Sequence, residues 1–559
     1  MELGKISFGE FQNPGVEFRP VPFWGLNDDL EDETLRYQIS EMKDKGWGGF
    51  FTHARYGLET PYLSGEYMER MKACVDEAKK QGIKAWIYDE HPFPAGCAGG
   101  LATACKKEYR HKALVMRMHN RLTPIDKDEA LGYFAVDVDK YGVPVRVSQI
   151  RDPETYQGRE HHFMHFYIWT EPLHQGSQPG FSNYDDNIIH GFASSDNMNP
   201  EAVKKFIDVT YGSFKDTVGD EFGKTLVGGF SDIPVNNWNY ATPHPSVPWT
   251  FGFENYFKEN CGYDILPLLP CLFFNLGDYQ KVRIDFWKTT NKLFIESYTK
   301  QLYDWCDANN LIYTAHYWGE ETLHWQIPWV GDAMAHFEYQ HYVGMDHSIR
   351  NIEDPLGIKQ AATVAEQLNK PRMISETYGM SGNNLSHEER KWIGDWEYAL
   401  GTNFLVPYVC LYSFRGRRKR DEPASLFVQQ AYWDYERLIY DYYGRLSYAL
   451  TAGKRVVNLL LLQPLSTAWT MYYTPQIDYP QAHRPDPLTF EGSTQELYAY
   501  NQTWMDISDS LLAMHRDFHV GNETIMEEYG KVEGRSLVVG SCSYQAVVVP
   551  ASVNWSEST

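Results

Sequence analysis

Four short apolar runs in this chain each end in acidic or imidazole side chains. They are Ala85-Trp86-Ile87-Tyr88 into Asp89-Glu90-His91, Leu226-Val227-Gly228-Gly229-Phe230 into Ser231-Asp232, Leu311-Ile312-Tyr313-Thr314 into His316 and Glu320-Glu321, and Arg372-Met373-Ile374-Ser375 into Glu376. Each has strand length, and helical patterns precede and follow it. Parallel strands covered on both faces read as continuous apolar runs. The first half keeps this rhythm. A strand is predicted over 18–24. A helix follows over 30–45, with Leu35, Ile39 and Met42 on one face. A second strand spans 48–53, and a helix over 67–81 stops at Gly82 before the strand at 83–88. Repeated βα units of roughly 30 residues mark a parallel sheet or barrel.

The rhythm breaks over about 112–172, where alternating runs such as Phe134-Ala135-Val136-Asp137-Val138 predict a β-rich insertion. A helix returns over 200–218, with Asn199 as its cap and Pro200 at its first position. Strand four follows at 226–231, then a long helical pattern over 279–309 and strand five at Leu311. Strand six is expected at 332–337, strand seven at Met373-Ile374-Ser375 and strand eight at 403–411. The predicted architecture is an α/β (β/α)8 barrel over 1–451. Near Ala452 the register changes. A buried strand over 454–462, a Tyr- and Pro-rich loop (470–492), a helix over about 494–514 and two late Val-rich strands predict a flavodoxin-like α/β domain over 452–559. Its last strand is not followed by the expected helix, so the sequence reads as truncated or as a fragment.

Composition narrows the function. The chain has 559 residues, more than one core usually serves. Its formal net charge of −23 argues against nucleic acid and anionic membranes as partners. Aromatics reach 15%, a level compatible with large aromatic cores or a sugar-binding cleft. Eight scattered Cys without CxxC spacing predict reduced thiols, and the lack of an apolar leader predicts a cytoplasmic protein. There is no Walker loop, no GxGxxG after a strand and no HExxH.

Polar residues at strand C-termini gather on the face where (β/α)8 barrels do their chemistry. Carboxylates gathered there suggest acid/base work on a glycosidic bond. Glu376 is the leading candidate, the alternative being a salt bridge to the run Arg415 to Arg420. The second carboxylate is expected among Asp232, Glu320 and Glu321. Asp89, Glu90 and His91 are candidates for sugar hydroxyls or a metal, and His53, Arg55, His316 and Tyr378 for sugar contacts.

The strings PFWGLNDDL, WIYDEHPFPAGCAGG and ISETYGMSGNNLSHEERKWIGDWEYALGTNFLVPYVCLYSFRGRRKRDEPAS resemble glycoside hydrolase family 106, the α-L-rhamnosidase-like proteins. The resemblance runs from about residue 18 to about 450. It implies a catalytic barrel followed by a flavodoxin-like domain, an inverting mechanism with two Glu, and a bound calcium, for which Asp89, Glu90 and Glu320 are the candidate ligands. Relatives tend to read Thr-Asp-Glu-Pro after strand four, whereas this chain reads Ser231-Asp232-Ile233-Pro234. Three readings stand: an inverting rhamnosidase-like hydrolase, a non-catalytic carbohydrate-binding protein on a degenerate barrel, and a retaining glycosidase of β-galactosidase type.

Overall fold

Eight short parallel strands carry the molecule. The computed structural model describes residues 6–91, 93–122, 129–174, 191–237, 242–243, 245–473 and 495–559. The strands are β1 (Phe23–Leu26), β2 (Gly49–Ala54), β3 (Lys84–Tyr88), β4 (Leu226–Asp232), β5 (Ile312–His316), β6 (Val343–His347), β7 (Met373–Thr377) and β8 (Phe404–Pro407). β1 to β5 pair in chain order in one parallel sheet, and β6 to β8 in a second. The two sheets meet on both sides. His341 N donates to Tyr313 O at 2.9 Å beside β5, and Val21 N donates to Leu405 O at 3.1 Å beside β8. A short strand after β8, Cys410–Leu411, adds to the free edge of β1. This is the strand order of a (β/α)8 barrel.

The two-residue period of each strand sorts its side chains. Phe50, Ala85, Ile87, Tyr313 and Met345 join the large core shared with the surrounding helices. Phe23, Phe51, Trp86, Phe230, Ile374 and Phe404 form a separate interior layer. Each large apolar side chain taken from water contributes roughly 1.5–3 kcal/mol, so this parity is strongly enforced. Two residues further along, the inward positions become Tyr88, Asp232 and Glu376.

Helix boundaries follow local chemistry. Gly65–Gln81 starts at Ser64, whose hydroxyl accepts from Tyr67 N, and ends at Gly82 in the left-handed region. Pro200–Val218 is capped by Asn199, as its sequence predicts. The long helix over 279–309 is interrupted by a π turn at Ile295–Thr299.

Strand six lies elsewhere than expected. Residues Ala333–Phe337 form a helix capped by Asp332, and the strand is Val343–His347. The apolar run mimicked a strand, but the cap side chain accepts from Ala335 N and starts a helical turn. The insertion is β-rich as predicted, with four antiparallel strands, and it also recruits Ser246–Pro248 from beyond β4.

After the barrel, Leu459–Leu462 pairs in parallel with His519–Gly521 and Ala546–Val548. Ser536–Val539 does not join this sheet; it sits in an antiparallel three-stranded sheet with Gly530–Glu533 and Cys542–Tyr544. Most of the loop expected over 470–492 lies outside the described residues. Bonds of Lys359 to Asp517 (2.6 Å) and Asn522 to Asp332 (2.8 Å) tie this region to the barrel. All eight cysteines are unpaired. Among the described residues no helix is long and apolar enough to cross a membrane.

Candidate active site

Strand register assembles the site. In the β4–β5 pair Asp232 lies opposite His316, and in the β6–β7 pair Asp346 lies opposite Glu376. His316 Nε2 is 2.7 Å from Asp232 Oδ1, and its Nδ1 is 3.6 Å from Glu376 Oε2. The Tyr88 hydroxyl donates to the other oxygen of Asp232. Asp232, His316 and Glu376 each place one ligating atom within 4.8 Å of the others, and all three are buried. That spacing allows a shared proton or a divalent ion held by mixed nitrogen and oxygen donors.

The electrostatics follow from crowding. Burial pushes Glu376 well above the ordinary carboxylate range, and the charges of Asp346, Asp232 and Glu422 push the same way against Arg55. Burial likewise raises Asp346. Burial opposes charge on His316, but the charge and hydrogen bond of Asp232 outweigh it, so the imidazole is raised. Like charges this close cannot all ionise.

Other predicted residues separate from this cluster. Asp89 follows Tyr88 by one residue, so it faces the helices. Its Oδ2 accepts from Ser231 Oγ and from Tyr211 OH at 2.9 Å. Glu90 accepts five backbone N–H bonds, from His91 and Gly99 on one oxygen and from Gly96, Cys97 and Ala98 on the other, at 2.5–3.0 Å. The cradle needs left-handed backbone at Gly99 (φ +60) and positive φ at Gly96 (φ +129), which glycine supplies. His91 is buried beside Tyr62 and lowered to about 4 by burial. His53 stacks on Tyr88 at 3.5 Å between ring centres.

The Tyr378 side chain is taken up by contacts within the protein. Its hydroxyl donates to Arg390 O at 2.9 Å, and its ring packs with Leu385, Ile393, Ala424 and Leu426. Arg55 reaches acids rather than an open site: Nε and Nη2 each lie 2.8 Å from Asp421, and Nη2 lies 3.2 Å from Glu422. Glu320 is buried and accepts from Tyr317 N at 2.8 Å. Glu321 lines a cavity of about 370 Å³ with Glu353, Asp354, Trp396 and Asp509, and burial pushes it up to about 7. The basic run does not neutralise Glu376; Arg415 and Arg418 pair with Asp28 and Glu59.

Among the described residues the acids and imidazoles that gather closely enough to hold an ion are Asp232, His316 and Glu376, not the Asp89, Glu90 and Glu320 suggested by resemblance. Calcium takes six to eight oxygens. Both oxygens of Glu90 are taken up by N–H groups, and Asp89 Oδ2 is committed to two hydroxyls.

Two site residues lay outside the sequence expectations. Asp346 was hidden by the misplaced strand six. Glu422 lies in the loop after β8 with no periodic signal around it. The departure at Ile233 is structural as well as chemical: it has φ +47 and packs with Tyr56, Phe93, Val235 and Trp329 at the end of β4. Non-glycine residues held at positive φ cluster at functional sites.

A parallel barrel with buried carboxylates at its C-terminal end is the architecture of many glycoside hydrolases. The family model for glycoside hydrolase family 106, alpha-L-rhamnosidase, matches residues 190–510, more than half of the chain, and the chain belongs to that family. A rhamnosidase structure from Novosphingobium sp. PP1Y aligns with a TM-score of 0.67 at 13% identity, covering 98% of this chain and 67% of that one. A GH42 beta-galactosidase from G. stearothermophilus aligns with a TM-score of 0.50 at 10% identity, over 90% of this chain and 66% of that one. At such identities the likeness speaks to the fold. A Formosa agariphila protein named "Putative beta-glucuronidase" is 22% identical over 293 residues, which are 50% of this chain and 24% of that protein. The chain thus spans about a quarter of the length of that curated relative.

Proposed function

We propose that this chain hydrolyses an O-glycosidic bond, with α-L-rhamnosides as the first substrates to test and Glu376 as the carboxylate that activates water. The carrying observation is the placement of Glu376 on the inward parity of β7, beside His316 and Asp232, at the end of the barrel where chemistry is done. A general base needs a raised proton affinity, and the crowding around Glu376 supplies it. The rings of Tyr56, Phe93 and Trp329, packed with Ile233, offer an apolar wall at the site.

The carboxylate spacing bears on stereochemistry. Retaining glycosidases hold their pair about 5–5.5 Å apart and inverting ones about 6.5–9.5 Å. Asp232 and Glu376 approach within 4.8 Å. If those two were the pair, retention would follow; inversion, which the family resemblance implies, requires a more distant acid. The binding-only reading is favoured by one observation, the apolar Ile233 after β4. Incubation with a panel of aryl glycosides, with the first-formed anomer followed by proton NMR, separates the readings. Release of sugar with inverted configuration supports the proposal. Retained configuration points to the Asp232–Glu376 pair, and sugar binding without release from any substrate points to a binding protein.

A further inference from the structure

We propose that Glu422, in the loop after β8, is the proton donor to the leaving oxygen. The proposal rests on the hydrolase reading above. Such a reaction needs one carboxylate to activate water and a second to protonate the departing group from across the bond. Asp232, Asp346, Glu320 and Glu90 are poorly placed for the second task, and Glu321 faces a separate cavity lined by Glu353, Asp354, Trp396 and Asp509. Asp232 lies within 4.8 Å of Glu376 and is held by Tyr88 and His316. Asp346 is the register neighbour of Glu376 and accepts from Ser348 Oγ at 2.9 Å. Glu320 is 1% exposed, and Glu90 is surrounded by N–H donors.

Glu422 differs in exposure and in how lightly its carboxylate is held. Its side chain is 35% exposed, whereas those of Arg55 and Asp421 are 1% and 3% exposed. Arg55 grips Asp421 with two bonds of 2.8 Å and reaches Glu422 at 3.2 Å with one nitrogen. The bidentate pair already balances the guanidinium. The guanidinium lies 4.9, 5.4 and 5.6 Å from the ring centres of Tyr56, Phe93 and Tyr408, so it is a fixed post. Its first two ring neighbours pack with Ile233 in the apolar wall of the site. The loop is pinned on the far side as well: Val409 N donates to Ala424 O at 3.1 Å, and Leu426 N to Val409 O at 2.8 Å. Glu422 itself sits at φ +35, a conformation a glutamate adopts only when its surroundings impose it.

The charged and titratable groups around Glu422 are Arg55, Asp421, Tyr408, Asp232 and Glu376. The part of the carboxyl turned into the site is poorly solvated, which raises its proton affinity, while Arg55 opposes the rise; the third of the side chain open to water keeps that rise modest, with a net upward direction. In the step, the Glu422 carboxyl gives its proton to the glycosidic oxygen as the bond from that oxygen to the anomeric carbon breaks. Glu376 takes a proton from the water that forms the new bond to that carbon. The two carboxyls then exchange protons with solvent, and no other reactant is consumed.

The test compares leaving groups on the full chain, using 2,4-dinitrophenyl and methyl α-L-rhamnosides. Glu422→Gln should lower kcat/KM on the methyl glycoside about 10²–10⁴-fold and on the activated substrate less than about tenfold. It should also remove the alkaline limb of the pH profile. Glu422→Asp should keep that limb, and thermal melting checks that both variants fold. Equal loss on both substrates, or no loss on either, overturns the assignment. So does the leaving-group signature appearing in Asp232→Asn or Glu321→Gln instead. If wild type releases sugar from neither rhamnoside, the same comparison is made on the aryl glycoside of the panel that it cleaves, and release from none of the panel refutes the hydrolase reading itself and the proton donor with it.

Discussion

Glu90 and Glu376 are both buried glutamates at the C-terminal end of the barrel, yet they live in opposite surroundings. Glu90 is ringed by five backbone N–H groups that consume both oxygens. Glu376 meets His316 at 3.6 Å, and its Oε2 has no hydrogen-bond partner. One carboxylate organises a loop; the other is left with an oxygen to use. Burial alone does not mark a reactive group, because a satisfied charge is structural and an unsatisfied one is available. Parity explains a second contrast, between Asp89 and the inward acids. The period of two along each strand sends Asp232 and Glu376 inward, while Asp89, one residue past an inward Tyr88, meets Ser231 and Tyr211 on the helix side.

The contrast can be broken from either side. The largest effect on folding is expected for Glu90→Gln. Its amide turns hydrogens toward N–H groups that need an acceptor, and each buried donor left unmet costs about 1–3 kcal/mol. A total loss of about 3 kcal/mol or more is expected in chemical unfolding; a wild-type midpoint would remove the structural role of Glu90. A smaller effect, opposite in sign, is expected for Glu321→Gln. Burial holds Glu321 at about 7 in the fold. A raised carboxyl adds stability below its unfolded value near 4.5 and loses it as pH climbs through about 7. The variant escapes that loss, so it should match wild type at pH 4.5 and be more stable at pH 8 by about 1–3 kcal/mol. A difference independent of pH would contradict the assignment. The smallest effect is expected for Tyr378→Phe. One buried bond to Arg390 O disappears, at about 0.5–1.5 kcal/mol, and turnover should stay within about twofold. A large loss of turnover would return Tyr378 to the site.

Much of this was legible in the sequence. Continuous apolar runs marked β2, β3, β4, β5 and β7, because strands covered on both faces leave that trace. The polar residues ending those runs led to Asp232, His316 and Glu376. What was hidden had physical causes. Val343-Gly344-Met345-Asp346-His347 is short and carries a glycine, so it gave little strand signal, while the capped helix after Asp332 imitated one. Glu422 reaches the site through Arg55, whose partner Asp421 is 366 residues away in sequence. Only closure of β8 against the start of the chain brings them together. Parity was present in the sequence too. Counting from Tyr88 separates Asp89 from the inward set once the strand's facing is known.

Glu376 as the group that activates water is the central assignment. The direct measurement is kcat of Glu376→Gln on an α-L-rhamnoside that the wild-type protein hydrolyses, with sugar affinity measured on the same folded sample. The amide keeps the shape but cannot accept the proton. The expected result is a fall in kcat of about 10²–10⁴-fold with affinity within about threefold of wild type. A variant that turns over at the wild-type rate would show that the cluster on β4, β5 and β7 is not the seat of the chemistry.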